Sequence, residues 1–207
     1  MFNIFKKKKS EVGTVDFNIE PDIQPPIDDS PMRVGYPDAD IQNSIYEFSS
    51  KYIAIESSIL DLGAGFGDYY TYLRSTWQRE FHYAGIEFLP DLVKRARVIN
   101  NVELINASWD MMALPKMDWV VNILSLTLEP IGGKDFNQYV ETHLMDMYNA
   151  ADVGVSFTFL RPSNYTDLSD YKTIELNSLI KFCNANNFLY IIDCSYNDYV
   201  TNLIIFK

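Results

Sequence analysis

Between Asp38 and Lys207 the apolar positions change period repeatedly, and the alternation predicts the architecture. In DADIQNSIYEFSSKYIA, Ile41, Ile45, Phe48 and Tyr52 recur at helical spacing behind residues able to cap, so a helix precedes the next apolar run. SSILDLG then reads as a strand, DYYTYLRSTWQRE as a helix, HYAGIEF as a strand, LPDLVKRARVIN as a helix and NVELINAS as a strand. A further strand, DWVVNILS, precedes a helical stretch from about Asp135 to Ala150, followed by the strand VGVSFTFL and the helical YKTIELNSLIKFCNANN. Two closing apolar runs, FLYIIDCS and YVTNLIIFK, are separated by YND and read as a β-hairpin. Strands alternating with helices predict an α/β fold: a doubly wound, seven-stranded, mostly parallel sheet with helices on both faces. The C-terminal antiparallel hairpin adds one antiparallel strand, expected at the edge of the sheet.

The first thirty residues break this pattern. KKKKSEVGTVDFNIEPDIQPPIDDSP combines a lysine run, an acidic stretch and several prolines without a sustained period, which predicts a flexible N-terminal arm over residues 1–30 and one domain over 31–207. A chain of 207 residues, 47% hydrophobic, is long enough for one sizeable core and short for two. Lys6 to Lys9, beside Phe2, Ile4 and Phe5, offer a contact to an acidic partner or a membrane surface, against a solvated tail as the plainer reading. The formal net charge of −11 opposes nonspecific binding to nucleic acid, because phosphate contacts draw on basic residues. Cys183 and Cys194 lack metal-ligand spacing and are too few for a disulfide framework, which fits a reducing cytoplasm. No apolar run approaches the roughly 20 residues needed to span a bilayer, and MFNIFKKKKS carries its charge after its apolar start, the reverse of a secretory signal.

Candidate chemistry begins where the first strand stops, at ILDLGAGFGD, with glycines at 63, 65 and 67. The dinucleotide fingerprint G-x-G-x-x-G would require glycine at 68, where the chain has Asp68, and no G-K-[ST] follows for a phosphate loop. A tight turn bringing backbone close to a nucleoside without phosphates remains, alongside a plain strand-to-helix turn. Asp61, just before the turn, can accept hydrogen bonds from a cation. YAGIEF ends on Glu87, 20 positions beyond Gly67, where a carboxylate at a neighbouring strand tip can accept from both hydroxyls of a ribose.

These residues resemble the class I S-adenosylmethionine-dependent methyltransferases. LDLGAGFGD looks like their first motif, GIEFLPDLVKRAR like the second strand with its ribose-binding acid, and NVELINASWD like the strand leading to the adenine pocket. VGYPDADIQ, VGVSFTFL and LIKFCN further resemble small methyltransferase-like proteins of bacteriophages and bacteria, for which the host cytoplasm is the expected location. The resemblance implies a Rossmann-like fold and S-adenosyl-L-methionine as cofactor. Asp61 would then lie by the methionine ammonium, Gly63, Ala64, Gly65 and Gly67 under the cofactor, Glu87 on the ribose and Phe88 alongside the adenine. The helix starting near Asp68 would turn its positive end toward the methionine carboxylate. Where the family often has an acid for the adenine amino group, this chain has Ala107-Ser108-Trp109. Ser108 could accept that bond or Asp110 replace it, and Trp109 is a stacking or a core residue.

Catalytic residues do not emerge. Methyl transfer from a sulfonium needs mainly positioning and, for weak nucleophiles, a base. DWVVNILSLTLEP lacks the [DNS]-P-P-[YFW] segment of amino-methylating enzymes of adenine and cytosine, and no Pro-Cys nucleophile is present. Asn122, grouped with the cofactor-binding candidates, and Ser125, Thr127 and Glu129 are polar positions near a strand tip that face ligand or solvent. His82 and His143 read as surface or core histidines. Tyr36 and Gln42 read as a lid or as N-terminal packing. Two functions stay open: an active methyltransferase with an unidentified acceptor, and an inactive methyltransferase-like domain serving as a binding or structural component, with the arm as its attachment.

Overall fold

The computed structural model describes residue 36 and residues 38–126, 135–163 and 171–207; the arm over 1–30, Thr127 and Glu129 lie outside the described residues. The chain divides into two units, Met1–Ser44 and Ile45–Lys207, with the boundary inside the first helix, α1 (Ala39–Ser50). In the first unit Asp38 opens α1 by accepting the Ile41 N–H at 2.8 Å.

The second unit holds the sheet. Its elements are β1 (Ile59–Leu62), α2 (Asp68–Trp77), β2 (Tyr83–Glu87), α3 (Pro90–Ile99), β3 (Leu104–Asn106), β4 (Met117–Ile123), α4 (Phe136–Ala150), β5 (Ala151–Leu160), α5 (Leu176–Ala185), β6 (Leu189–Asp193) and β7 (Val200–Phe206). The strand order is β3-β2-β1-β4-β5-β7-β6. Strands β3, β2, β1, β4 and β5 run parallel, with Ile59 opposite both Tyr83 and Trp119.

The order reverses direction between β1 and β4. Because parallel crossovers are right-handed, helices that lead outward on one side of this point cover one face, and those on the other side cover the opposite face. Leu60, Leu62, Val120 and Phe157 pack accordingly with Val140, Leu144 and Met147 of α4 and Leu179 and Phe182 of α5. On the other face, that of Asp61 and Tyr83, α2 brings its Tyr70 ring to 5.0 Å from Tyr83. The crevice at the carboxyl ends of β1 and β4 is where such sheets take ligands.

The hairpin corrects one expectation. β7 is antiparallel to both β5 and β6 and lies between them, so the antiparallel strand is interior and β6 forms the edge. The cause is burial. Six successive residues of β7, Val200–Ile205, are buried, which requires cover on both faces and both sides, whereas Leu189 and Ile191 of β6 are 71% and 38% exposed. The two runs are equally apolar in sequence, so periodicity does not separate them.

A buried polar network ties the end of α1 to this part of the sheet. Ser49 Oγ lies 2.7 Å from Thr158 Oγ1, Ser156 Oγ donates to the Ser49 carbonyl, and Asn202 donates to the Phe48 carbonyl. Each such bond contributes about 1 kcal/mol when made, and an orphaned partner costs about 1–3 kcal/mol. This network therefore specifies where the helix end docks more than it adds stability.

Candidate cofactor site

β1 ends in a loop whose three glycines all adopt left-handed backbone, with φ of 81° at Gly63, 57° at Gly65 and 74° at Gly67. The Gly63 and Ala64 N–H groups both donate to the Ile86 carbonyl, which bends the chain sharply over the tip of β2. At two of the three positions the protein itself excludes a side chain. A Cβ on Gly63 would lie 2.4 Å from Ser125 Cβ, and one on Gly67 would lie 2.3 Å from Val102 Cγ1. Gly67 is also the residue that opens α2, and it offers no side-chain cap to the first turn.

Glu87, 4% exposed at the end of β2, reaches back to this loop. Its Oε2 accepts the Gly65 N–H at 3.0 Å and its Oε1 the Leu89 N–H at 2.9 Å. Burial raises its pKa, opposed by the N–H groups of Leu89, Gly65 and Phe88. Three N–H groups occupy three of its roughly four lone-pair sites, so the carboxylate keeps room for a further donor. Asn106 Nδ2 donates to the carbonyls of Glu87 and Phe88, so β3 fixes the same strand tip. Phe88 itself is 43% exposed, an aromatic surface presented beside the carboxylate.

Asp61 is also buried, and Tyr83 donates its hydroxyl to Oδ2 at 2.5 Å. Burial pushes the Asp61 carboxyl up to about 7, the Tyr83 bond pulls it down, and the Glu87 charge pushes it up again. Tyr83 was not anticipated from the sequence. The register of the folded sheet sets Gly85 opposite Asp61 and so puts Tyr83 on the Asp61 face, which the local period does not reveal.

The turn after β3 is a short 3-10 helix, Trp109–Met111. Ser108 Oγ donates to Asp110 Oδ1 at 2.5 Å, so the two residues that could serve the adenine amino group engage each other. Trp109 is buried in the main core, its ring 5.0 Å from that of His143 and 3.6 Å from where a Cβ on Gly63 would stand. Its Nε1 has no hydrogen-bond partner among the described residues. Asn122 is fully buried in β4 and donates Nδ2 to the Leu62 carbonyl at 3.1 Å; Ser125 Oγ donates to the same carbonyl at 3.3 Å. Both hold the residue that leads into the glycine loop. His82 is exposed and His143 is 2% exposed on α4, where burial lowers its pKa to about 4 against the pull of Asp110.

The structure thus brings Asp61, the glycine loop, Glu87 and Phe88 together at the tips of β1 and β2, with Trp109 and Asn122 beneath the loop. Among the described residues no group of three or more His, Cys, Asp or Glu could hold a metal ion, and no helix is long and apolar enough to cross a membrane.

No protein-family model and no curated protein matches the sequence. Solved structures do match in shape. Magnesium protoporphyrin IX methyltransferase of Synechocystis PCC 6803, solved with S-adenosylhomocysteine, aligns with a TM-score of 0.61 over 80% of this chain and 83% of its own, at 12% identity. Human N-acetylserotonin methyltransferase, solved with S-adenosylmethionine, aligns at 0.62 over 81% of this chain and 52% of its own, at 11% identity. The fold is that of the class I methyltransferases. The Burkholderia thailandensis 1,6-didemethyltoxoflavin-N1-methyltransferase, with 1,6-didemethyltoxoflavin and S-adenosylhomocysteine bound, aligns at 0.55 over 79% of this chain and 76% of its own, at 10% identity. Identities this low carry the class I fold alone.

Proposed function

We propose that this protein binds S-adenosyl-L-methionine at the glycine loop and transfers its methyl group to an acceptor. The observation that carries the reading is the Glu87 carboxylate, buried, tied to the Gly65 N–H and retaining acceptor capacity at the strand tip. A plain strand-to-helix turn has no use for a buried acid whose charge is disfavoured by burial. The remaining residues fit the same group. Glu87 would accept from the ribose hydroxyls, Phe88 would cover one face of the adenine, and Asp61 would meet the methionine ammonium. The α2 N-terminus, without a side-chain cap, would receive the methionine carboxylate. When bound, the cofactor supplies a methyl group on a sulfonium, a good leaving group, so the protein's contribution is to orient the partners and exclude water.

A second reading, binding without transfer as a structural or interaction component, is favoured by one observation: Ser108 and Asp110 are engaged with each other. Calorimetry with S-adenosylmethionine and S-adenosylhomocysteine tests binding, and a mass gain of one methylene on candidate acceptors tests transfer. Binding without any transfer would leave the second reading; no binding of either compound would overturn both. We place the protein in a reducing, cytoplasmic setting, supported by the free thiols of Cys183 and Cys194.

A further inference from the structure

Among the described residues, the crossover from β3 to β4 places only a short turn beside α4. Helices fill the crossovers from β1 to β2, β2 to β3 and β4 to β5, but residues 107–116 form only the turn Trp109–Met111. Beside that turn lies a groove of about 410 Å³, within the size range of small-molecule sites. One face of α4 lines it through Gln138, Tyr139, Thr142 and Asp146, its N-cap adds Asp135 and the turn adds Asp110. Among the described residues that line it there are three carboxylates and no lysine or arginine.

His143 lines the same groove from within the core, 2% exposed, and its Nε2 has no hydrogen-bond partner among the described residues. Burial holds its pKa near 4, so at neutral pH the imidazole is uncharged and keeps one lone pair for a donor. The ring is fixed by Tyr139, stacked at 6.0 Å, and by Trp109 at 5.0 Å. A buried polar atom left without a partner calls for an explanation, and a ligand N–H arriving through the groove would satisfy it. Three carboxylates with one acceptor nitrogen suit a cation that also donates hydrogen bonds. Among the described residues no group of three or more His, Cys, Asp or Glu could hold a metal ion, and an organic cation with N–H groups suits these acceptors.

We propose that this groove binds a small cationic amine, its charge held among Asp110, Asp135 and Asp146 and one N–H donated to His143 Nε2. The role of the amine rests on the methyltransferase reading, under which it belongs to the methyl acceptor. Trp109 then links the two sites, with its ring against His143 on one side and close to Gly63 on the other.

Calorimetry of the full chain with spermidine as the probe tests this, with 1,4-butanediol as the uncharged control and S-adenosylmethionine titrated separately. Spermidine binding and the diol not binding is the expected result. Asp110→Asn and Asp146→Asn should each weaken spermidine at least fivefold, while Glu103→Gln, an exposed acid on another part of the surface, should leave it unchanged. His143→Phe should also weaken spermidine while keeping or raising the melting temperature, because it removes the unpartnered nitrogen and keeps the ring. No spermidine binding at millimolar concentration, or equal weakening by Glu103→Gln through diffuse attraction to an acidic chain, would overturn the proposal. Retained spermidine binding with no S-adenosylmethionine binding supports the groove and overturns the acceptor role with the methyltransferase reading.

Discussion

Replacing Asp61 by asparagine should stabilise the protein progressively as pH rises. In the folded chain the Asp61 carboxyl titrates at about 7 instead of its ordinary 3.8, chiefly because it is buried. Between those values the folded state holds a proton that the unfolded state has released. Asp61 therefore contributes stability that is fully present below the unfolded pKa and lost as pH climbs through 7. About three pH units at about 1.4 kcal/mol each amount to about 4 kcal/mol lost between pH 4 and pH 8. Asparagine keeps an oxygen for the Tyr83 hydroxyl, and its buried NH2 adds a cost of about 1–3 kcal/mol that does not vary with pH. The informative quantity is thus the change in the wild-type-to-variant difference across the window. Urea unfolding at pH 4, 6 and 8 should show the variant gaining about 4 kcal/mol on wild type from the lowest pH to the highest. A difference that stays within about 1 kcal/mol at all three would mean that Asp61 remains ionised when buried, and the argument would fail. The same substitution should weaken S-adenosylmethionine, since a carboxylate kept in a place that destabilises its charge is suited to a ligand cation.

Other outcomes follow from neighbouring residues. Glu87→Ala should weaken S-adenosylmethionine by about 1.5–3 kcal/mol in calorimetry, and Glu87→Gln by less, because an amide oxygen still accepts from Gly65 or Leu89; unchanged affinity in Glu87→Ala would place the ribose elsewhere. Gly67→Ala should cost about 2–4 kcal/mol in urea unfolding, from left-handed backbone and the contact with Val102. Adding Val102→Ala should return only the part due to the contact, which a double-mutant cycle separates. His143 slopes the opposite way to Asp61: its folded pKa is depressed from 6.5 to about 4, so it contributes stability present above 6.5 and lost as pH falls toward 4. His143→Phe should flatten that acid loss by about 3 kcal/mol between pH 6.5 and 4, read from melting curves.

The sequence by itself determined the alternation of strands and helices, the glycine loop and the acid at the tip of β2. Each is a local property. Apolar spacing within a single element decides whether it is strand or helix, and a turn that needs left-handed backbone selects glycine wherever the strand lies in the sheet. Glu87 was legible for the same reason, since it ends an apolar run at a strand tip. Tertiary structure alone decided the rest. The interior place of β7 depends on strand order, which its composition, as apolar as that of β6, does not reveal. Tyr83 meets Asp61 across 22 residues of chain, and Asn122 meets the Leu62 carbonyl across 60. The crowding of Gly67 by Val102 and the unpartnered nitrogen of His143 likewise depend on how distant segments pack. Sheet order and register set all of these, and a local period carries no information about which strand becomes a neighbour.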